Sequence, residues 1–242
     1  MALDARTSEA REEVVPRLVS TKPRVKAMSD ARTEILKVLR SEPTHHVPMM
    51  PDVMTSASDE QTPIEQRIAT FTEILAKLGT PVDVVKDLSS AGERITKVLA
   101  NHNASSVALS DATEVLAVAA TLPQHVERIP HDAARESLLR CNAGLSTAQW
   151  AIAETGTLAL ESLYERHRLA TLLPDLHIAL VPASRLVATL GDAFQRLAQN
   201  GSPGAATITF VTGPSRTADI ELELVVGVHG PKALHVVILA DA

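Results

Sequence analysis

Apolar residues along this chain recur in two rhythms, and the places where one gives way to the other outline the fold. MSDARTEILKVLRSE, beginning at Met28, carries a helical period, with Ser29 or Asp30 as the expected N-cap. THHVPMMPDVMTSASDEQTP follows with neither period and reads as a linker, delivering the chain to a second helix at about 62–78. From there short β-type runs alternate with helical ones. PVDVVKD, a helix near 90–100, SSVALS and a helix near 111–121 come first. TGTLALES, LHIALVP, a helix over about 183–199, ATITFVTG and LHVVILA complete the series. Runs apolar on both faces suit strands of a mostly parallel sheet covered by helices, so the pattern predicts an α/β fold. The strands at 155–162 and 176–181 are separated by only about 13 residues, short for a parallel crossover, which leaves room for one antiparallel pair there.

Composition narrows the classes. With 242 residues, 45% of them apolar, the chain has material for a sizeable core. A net charge of −6 and only 2% aromatic residues argue against nucleic acid as a partner, because phosphate is repelled and stacking surfaces are scarce. No apolar run reaches the roughly 18 residues a membrane span needs, and MALDARTSEAREEVVPRL is charged where a signal peptide is apolar, so the expected location is cytoplasmic. Residues 1–27 carry six basic and four acidic side chains, two prolines and no apolar face, against seventeen basic and twenty-five acidic in the rest. A disordered tail is expected there, with Met28 as well as Met1 a candidate start. The organisation expected is a tail at 1–27, a helical arm and linker at 28–60, and an α/β domain at 61–242. Cys141 is the one cysteine, too few thiols for an iron–sulfur cluster, and no His/Cys spacing matches a zinc site. No metal and no cofactor are expected in this chain, and the adjacent His45 and His46 do not change that.

Three stretches carry candidate chemistry. GPSRTADIE follows the strand ATITFV, at the strand end where open α/β sheets bind ligands. Gly213 and Pro214 would shape the turn, Ser215 cap a following helix, and Arg216, Thr217 and Asp219 line a carboxylate or phosphate site at the helix start. The same residues equally suit a plain cap with Arg216 paired to Asp219 or Glu221. STAQWAIAETGTLALE reads as a short helix ending near Glu154 and turning at Gly156 into a strand. Glu154 is the candidate base, nucleophile or metal ligand, and Thr155 and Thr157 are candidate hydroxyl contacts; a turn satisfied by its threonines is the structural alternative. In VVGVHGPKALHVVIL, His229 sits in a Gly/Pro turn before the last strand, as a candidate catalytic residue or a hydrogen-bonded structural one. P-loop, nucleophile-elbow and dinucleotide fingerprints are missing from the sequence.

Taken together, AIAETGTLAL, LPDLHIALVP, TFVTGPSRTADIE and GVHGPKALHVVIL resemble the lactate-utilization protein C family, also called the LUD domain. The resemblance covers about residues 29–242, is sharpest after residue 144 and leaves out the first 27. It implies a Rossmann-like fold similar to the ribose-5-phosphate isomerase, glucosamine-6-phosphate deaminase and CoA-transferase group. It also implies iron–sulfur partner proteins in the oxidation of L-lactate to pyruvate, so that clusters are expected on partners while this chain binds a small anion as an accessory or substrate-binding component. The fold relatives suggest an alternative: an enzyme acting on a sugar phosphate, a folate or a CoA ester, with Glu154 as base or nucleophile.

Overall fold

A computed structural model of the chain describes residues 26–41, 61–162, 165–166, 168–199, 207–218 and 224–241. Residues 1–25 of the expected 1–27 tail, residues 42–60 with most of the expected linker, His45, His46, Asp219 and Glu221 lie outside the described residues. The chain divides into two units, 1–52 and 53–242. In the first, α1 (Lys26–Ser41) is a helix whose Ile35 and Val38 are exposed. It begins before Ser29 and Asp30, the expected N-caps, which therefore fall inside the helix.

The second unit opens with α2 (Ile64–Lys77), which buries Phe71 and Leu75. β1 (Val82–Val85), α3 (Leu88–Asn101), β2 (Ser106–Leu109), α4 (Thr113–Thr121) and β3 (Glu127–Ile129) follow. α3 starts where it does because Asp87 and Ser90 form a capping box: Ser90 N–H donates to Asp87 Oδ1 at 2.9 Å and Asp87 N–H to Ser90 Oγ at 3.1 Å. Next come α5 (Arg135–Leu139), β4 (Ala143–Thr147), β5 (Trp150–Ile152), β6 (Thr157–Glu161), α6 (Arg168–Leu172) and β7 (Leu176–Pro182). A 3₁₀ turn, Ala183–Arg185, leads to β8 (Leu186–Val187), α7 (Leu190–Gln199), β9 (Ile208–Val211), β10 (Arg216–Ala218), β11 (Leu224–Val226) and β12 (Ala233–Leu239).

Six strands form a sheet in the order β1-β12-β7-β4-β2-β3, every pair parallel. β7 and β12, its two longest strands, are interior neighbours, with Ile178, Leu180 and Val237 on one face and Ala179, Val181, Val236 and Ile238 on the other. α3 and α4 cover the first face through Ile95, Val98, Leu99, Val115 and Val118. The second face is shared. α5 and α6 cover the β2–β4 side through Leu138 and Ala170, and a smaller sheet with α2 covers the rest through Leu158, Leu160, Leu186, Phe71 and Leu75.

That smaller sheet, ordered β8-β5-β6-β9, corrects several expectations. β6 pairs antiparallel with β5 and β9, so residues 155–162 and 176–181 belong to different sheets. The expected helix running up to Glu154 is instead two strands joined to β6 by a hairpin, closed at Gly156, whose φ of 65° an L side chain rarely adopts. The expected helix over 183–199 breaks because Leu186 and Val187 pair with β5, and Thr189 and Asp192 then cap α7. Within ATITFV, Ile208–Val211 form β9, the edge of the smaller sheet, and among the described residues the chain runs on into a strand where a helix was expected. Ser215 N–H donates to Pro231 O and Ser215 O accepts from Gly227 N–H, which holds the backbone extended into β10, paired with β11.

Candidate functional site

The parallel strands β2, β4 and β7 end side by side, and each apolar run gives way to polar residues at its carboxyl end. β2 runs into Ser110 and Asp111, β4 into Thr147 and Gln149, and β7 through its 3₁₀ turn into Arg185. A cleft of about 500 Å³ opens there, lined by Asp111, Ala112, Thr113, Glu114, Thr147, Gln149, Trp150, Glu165 and Arg185. It lies where the crossovers leave an open α/β sheet free to receive a ligand.

Glu165 is its fixed point. The residue is 3% exposed, and its carboxyl accepts from Thr147 N–H at 2.8 Å, Thr147 Oγ1 at 2.5 Å and Gln149 Nε2 at 3.1 Å. Arg185 is tied to the same threonine. Its Nη1 donates to Thr147 Oγ1 at 3.3 Å and Ala148 O at 3.2 Å, and its Nη2 to Glu114 Oε1 at 3.0 Å. These bonds orient a planar, permanently charged fork at the cleft wall. Asp111 is held by the amide and guanidinium of Arg166 at 2.6 and 2.8 Å. Burial pushes the Asp111 carboxyl up, but those two bonds and the charge of His131 outweigh it and hold the group below its ordinary range. Below the cleft, Ser146 Oγ donates to Thr147 O at 3.0 Å and meets His177 Nε2 at 2.9 Å. Both residues are fully buried, so the pair supports the floor and is not presented to a ligand.

A family model described as the LUD domain matches residues 68–239. The chain belongs to the LUD domain family. Proteins named lactate utilization protein C are similar to it: 38% identical over 113 residues in Exiguobacterium sp., covering 46% of this chain and 49% of that protein. In Bacillus subtilis the figures are 38% over 105 residues, 42% and 44%, and in Bacillus licheniformis 41% over 103 residues, 41% and 43%. The aligned stretch spans about half the length of these curated relatives or slightly less. A DUF162 family protein from Deinococcus radiodurans shares the fold, with a TM-score of 0.57 at 21% identity over 74% of this chain and 99% of that one. No helix among the described residues of the LUD chain is long and apolar enough to cross a membrane.

The residues singled out in the sequence stand elsewhere. Glu154 is exposed and its Oε1 accepts from Leu190 N–H at 2.6 Å, at the first residue of α7. Thr155 Oγ1 donates to Thr157 Oγ1 at 2.8 Å, and Thr157 Oγ1 meets Thr212 Oγ1 at 2.7 Å, so the Gly156 hairpin and the Gly213 turn come together at one end of the smaller sheet. Arg216 donates to Leu78 O at 2.5 Å, Thr217 lies within β10, and His229 is exposed in the loop that packs on Ser215. None of these residues lines the cleft. The residues that do were legible only as polar punctuation after apolar strands: SDATE after β2, STAQ closing β4, ASR after β7. Cys141 is buried, donates to Ser137 O at 3.4 Å, and its thiol is pushed up by burial and by Glu127, so it does not suit a cluster ligand.

Proposed function

We propose that this LUD chain takes part in lactate utilization by binding a small 2-hydroxy- or 2-oxocarboxylate in the cleft, while iron–sulfur partner proteins carry the electrons. The relatives named lactate utilization protein C support the role. The observation that carries the site is Arg185, an oriented guanidinium at the carboxyl ends of parallel strands, beside the anchored carboxyl of Glu165. Arg185 would take the ligand carboxylate. Of the three lining acids, Asp111 is paired with Arg166 and Glu114 shares Arg185, while Glu165 is held by the uncharged donors of Thr147 and Gln149, so a small ligand with hydrogen-bond donors beside its carboxylate fits better than a phosphate. One cysteine is too few for an iron–sulfur cluster of the usual kind, which supports a reading in which partner proteins carry the clusters.

The test is a thermal-shift and calorimetric screen of L-lactate, pyruvate, inorganic phosphate, ribose 5-phosphate and coenzyme A, on wild type and Arg185→Lys. At about 100 times its Kd a ligand stabilises by roughly 2.7 kcal/mol, a rise of about 5–11 °C for a domain of this size. Lactate or pyruvate should give it, and Arg185→Lys should weaken binding about tenfold by losing the planar fork. Lactate-dependent dye reduction should be absent with the chain alone and appear when the iron–sulfur proteins are added. Stabilisation by the phosphates or coenzyme A alone, or turnover by the chain alone, overturns the reading.

A further inference from the structure

VVGVHGPKALHVVIL contributes nothing to the cleft, but Gly227 within it seats a lysine. A Cβ on Gly227 would stand 2.3 Å from Lys232 Cγ and 3.2 Å from its Cε, so the lysine stem lies directly across a glycine whose φ is 85°. That route carries the ammonium to Asp175 Oδ2 at 2.9 Å, just before β7. Lys232 is thereby placed at the amino ends of β4, β7 and β12, where a second cavity of about 490 Å³ opens. The seven residues of β7, about 20 Å of extended chain, separate this cavity from the cleft.

Two further donors line the cavity. Asn142 stands just before β4, and its Oδ1 accepts from Ser105 N–H at 3.0 Å, Ser105 Oγ at 3.1 Å, Ser106 N–H at 3.2 Å and Ser106 Oγ at 3.0 Å. Those bonds fix which end of the amide is the oxygen and turn its Nδ2 away from β2, with no acceptor among the described residues. Arg140, just after α5, is exposed, and its guanidinium makes no hydrogen bond or ion pair among the described residues. The permanent charges of the lining are Arg140, Lys232 and Asp175, two cations against one acid that is already bonded to Lys232, in a chain whose net charge is −6. Beside them is an apolar wall that includes Leu173 and Leu139, the latter 53% exposed.

We propose that this cavity is a second ligand site, independent of the cleft, that takes a small organic phosphate. A phosphate monoester presents three terminal oxygens where a carboxylate presents two, and the fork of Arg140, the ammonium of Lys232 and the amide of Asn142 supply donors for all three. The organic body covers Leu139 and Leu173, in a volume within the range of small-molecule sites. Asp175 opposes the phosphate through its charge, so its removal should strengthen binding while loss of Arg140 weakens it.

Calorimetry of phenyl phosphate and inorganic phosphate on the full chain tests this, with Arg140→Gln, Asp175→Asn and Arg185→Lys beside wild type. Both residues exchanged at the cavity are exposed, so these two variants should melt with wild type. Phenyl phosphate should bind wild type at one site per chain and about tenfold more tightly than inorganic phosphate, through burial of its ring. Arg140→Gln should weaken it about 10- to 100-fold, the range of a hydrogen bond to a charged group. Asp175→Asn should tighten it about threefold. Arg185→Lys should leave it unchanged, and Arg140→Gln should leave L-lactate affinity unchanged. No binding of phenyl phosphate, equal affinities for the two phosphates, an Arg140→Gln variant that binds like wild type, or weaker binding in Asp175→Asn overturns the inference. Phenyl phosphate affinity lost in Arg185→Lys and kept in Arg140→Gln overturns it and moves the phosphate to the cleft, against the carboxylate reading as well. Failure of L-lactate and pyruvate to bind, with the phenyl phosphate pattern intact, overturns the carboxylate reading alone.

Discussion

Gly144→Ala should unfold the floor of the cleft from beneath. Gly144 lies in β4 against α6, and a Cβ built there would stand 1.6 Å from Ala170 O and 2.6 Å from Ala170 C. A carbon and a carbonyl oxygen approach to about 3.3 Å at the closest, so α6 would have to retreat by about 1.7 Å. The obstacle is backbone, which no rotamer change removes. That retreat opens the small core in which Ala170 packs with Leu138, Cys141, Ala108 and Ile129. Overpacking a core costs about 1–3 kcal/mol, and a backbone clash belongs at the top of that range, so about 3 kcal/mol is expected. For a domain of this size that is a fall of about 6–12 °C in Tm. Glu165 lies just upstream of α6, so its bonds to Thr147 should loosen and ligand affinity should drop with stability. Urea unfolding measures the first effect through the midpoint at constant slope, and calorimetry the second. Gly230→Ala is the control, because its Cβ would meet Ser215 at 3.4 Å, near ordinary contact, and should change stability by no more than about 0.5 kcal/mol. A Gly144→Ala midpoint indistinguishable from that of the control would refute the account of how α6 seats on β4.

Two further outcomes follow from side chains outside the cleft. His235 Nε2 lies 2.6 Å and Arg94 Nε 2.5 Å from the same Asp83 Oδ2. Burial lowers the His235 pKa against the pull of Asp83; burial raises Asp83, but its bonds from Arg94 and His235 outweigh that and lower it overall. Both groups therefore favour folding above their unfolded values, so stability should fall as pH drops below about 6.5 through His235 and again below about 3.9 through Asp83. Urea midpoints from pH 7.5 to about 2.5 check this, and stability that rises between pH 6.5 and 5 would contradict it. Glu154→Ala should cost about 1 kcal/mol, the value of a lost helix cap, because Leu190 N–H loses its acceptor. Calorimetry should show unchanged ligand affinity in that variant, whereas a lost affinity would return Glu154 to the site.

The parts of the fold readable in the sequence are those where local pattern and tertiary packing agree. β7 and β12 are apolar on both faces because both faces are covered, and the Asp87–Ser90 box marks the start of α3 in the sequence itself. β4 and β5 resist such reading. AGLSTAQWAI has few β-branched residues and looks helical or loop-like, and its strand form depends on remote partners: Glu165 on Thr147, His177 on Ser146, and the carbonyl of Ala170 over Gly144. The helix expected after Gly213 fails for the same reason. Ser215 is claimed by Pro231 and Gly227, and Arg216 by Leu78, 138 residues away in sequence.

The cleft was hidden because it has no motif. Its residues come from four separate stretches, and what joins them is the parallel order β7-β4-β2, which sets three strand ends in a row although β3, α5, β5 and β6 intervene in the chain. Turns that read as sites, at Gly156 and Gly213, have positive φ because the hairpin and the β9–β10 corner pack on α2 and on the segment just after it: Gly156 against Ile74 and Leu75, Gly213 against Leu78 and Thr80. Glycine there answers a packing demand. In the cleft the demand is the reverse. Arg185 and Glu165 are charged groups oriented by bonds to Thr147 at the open ends of parallel strands, a placement that packing alone does not require. A residue type that fits its surroundings is explained by those surroundings, whereas a guanidinium held in a fixed orientation at the wall of an open cleft is explained by what it can bind, and that difference turns attention from the glycine turns to Arg185.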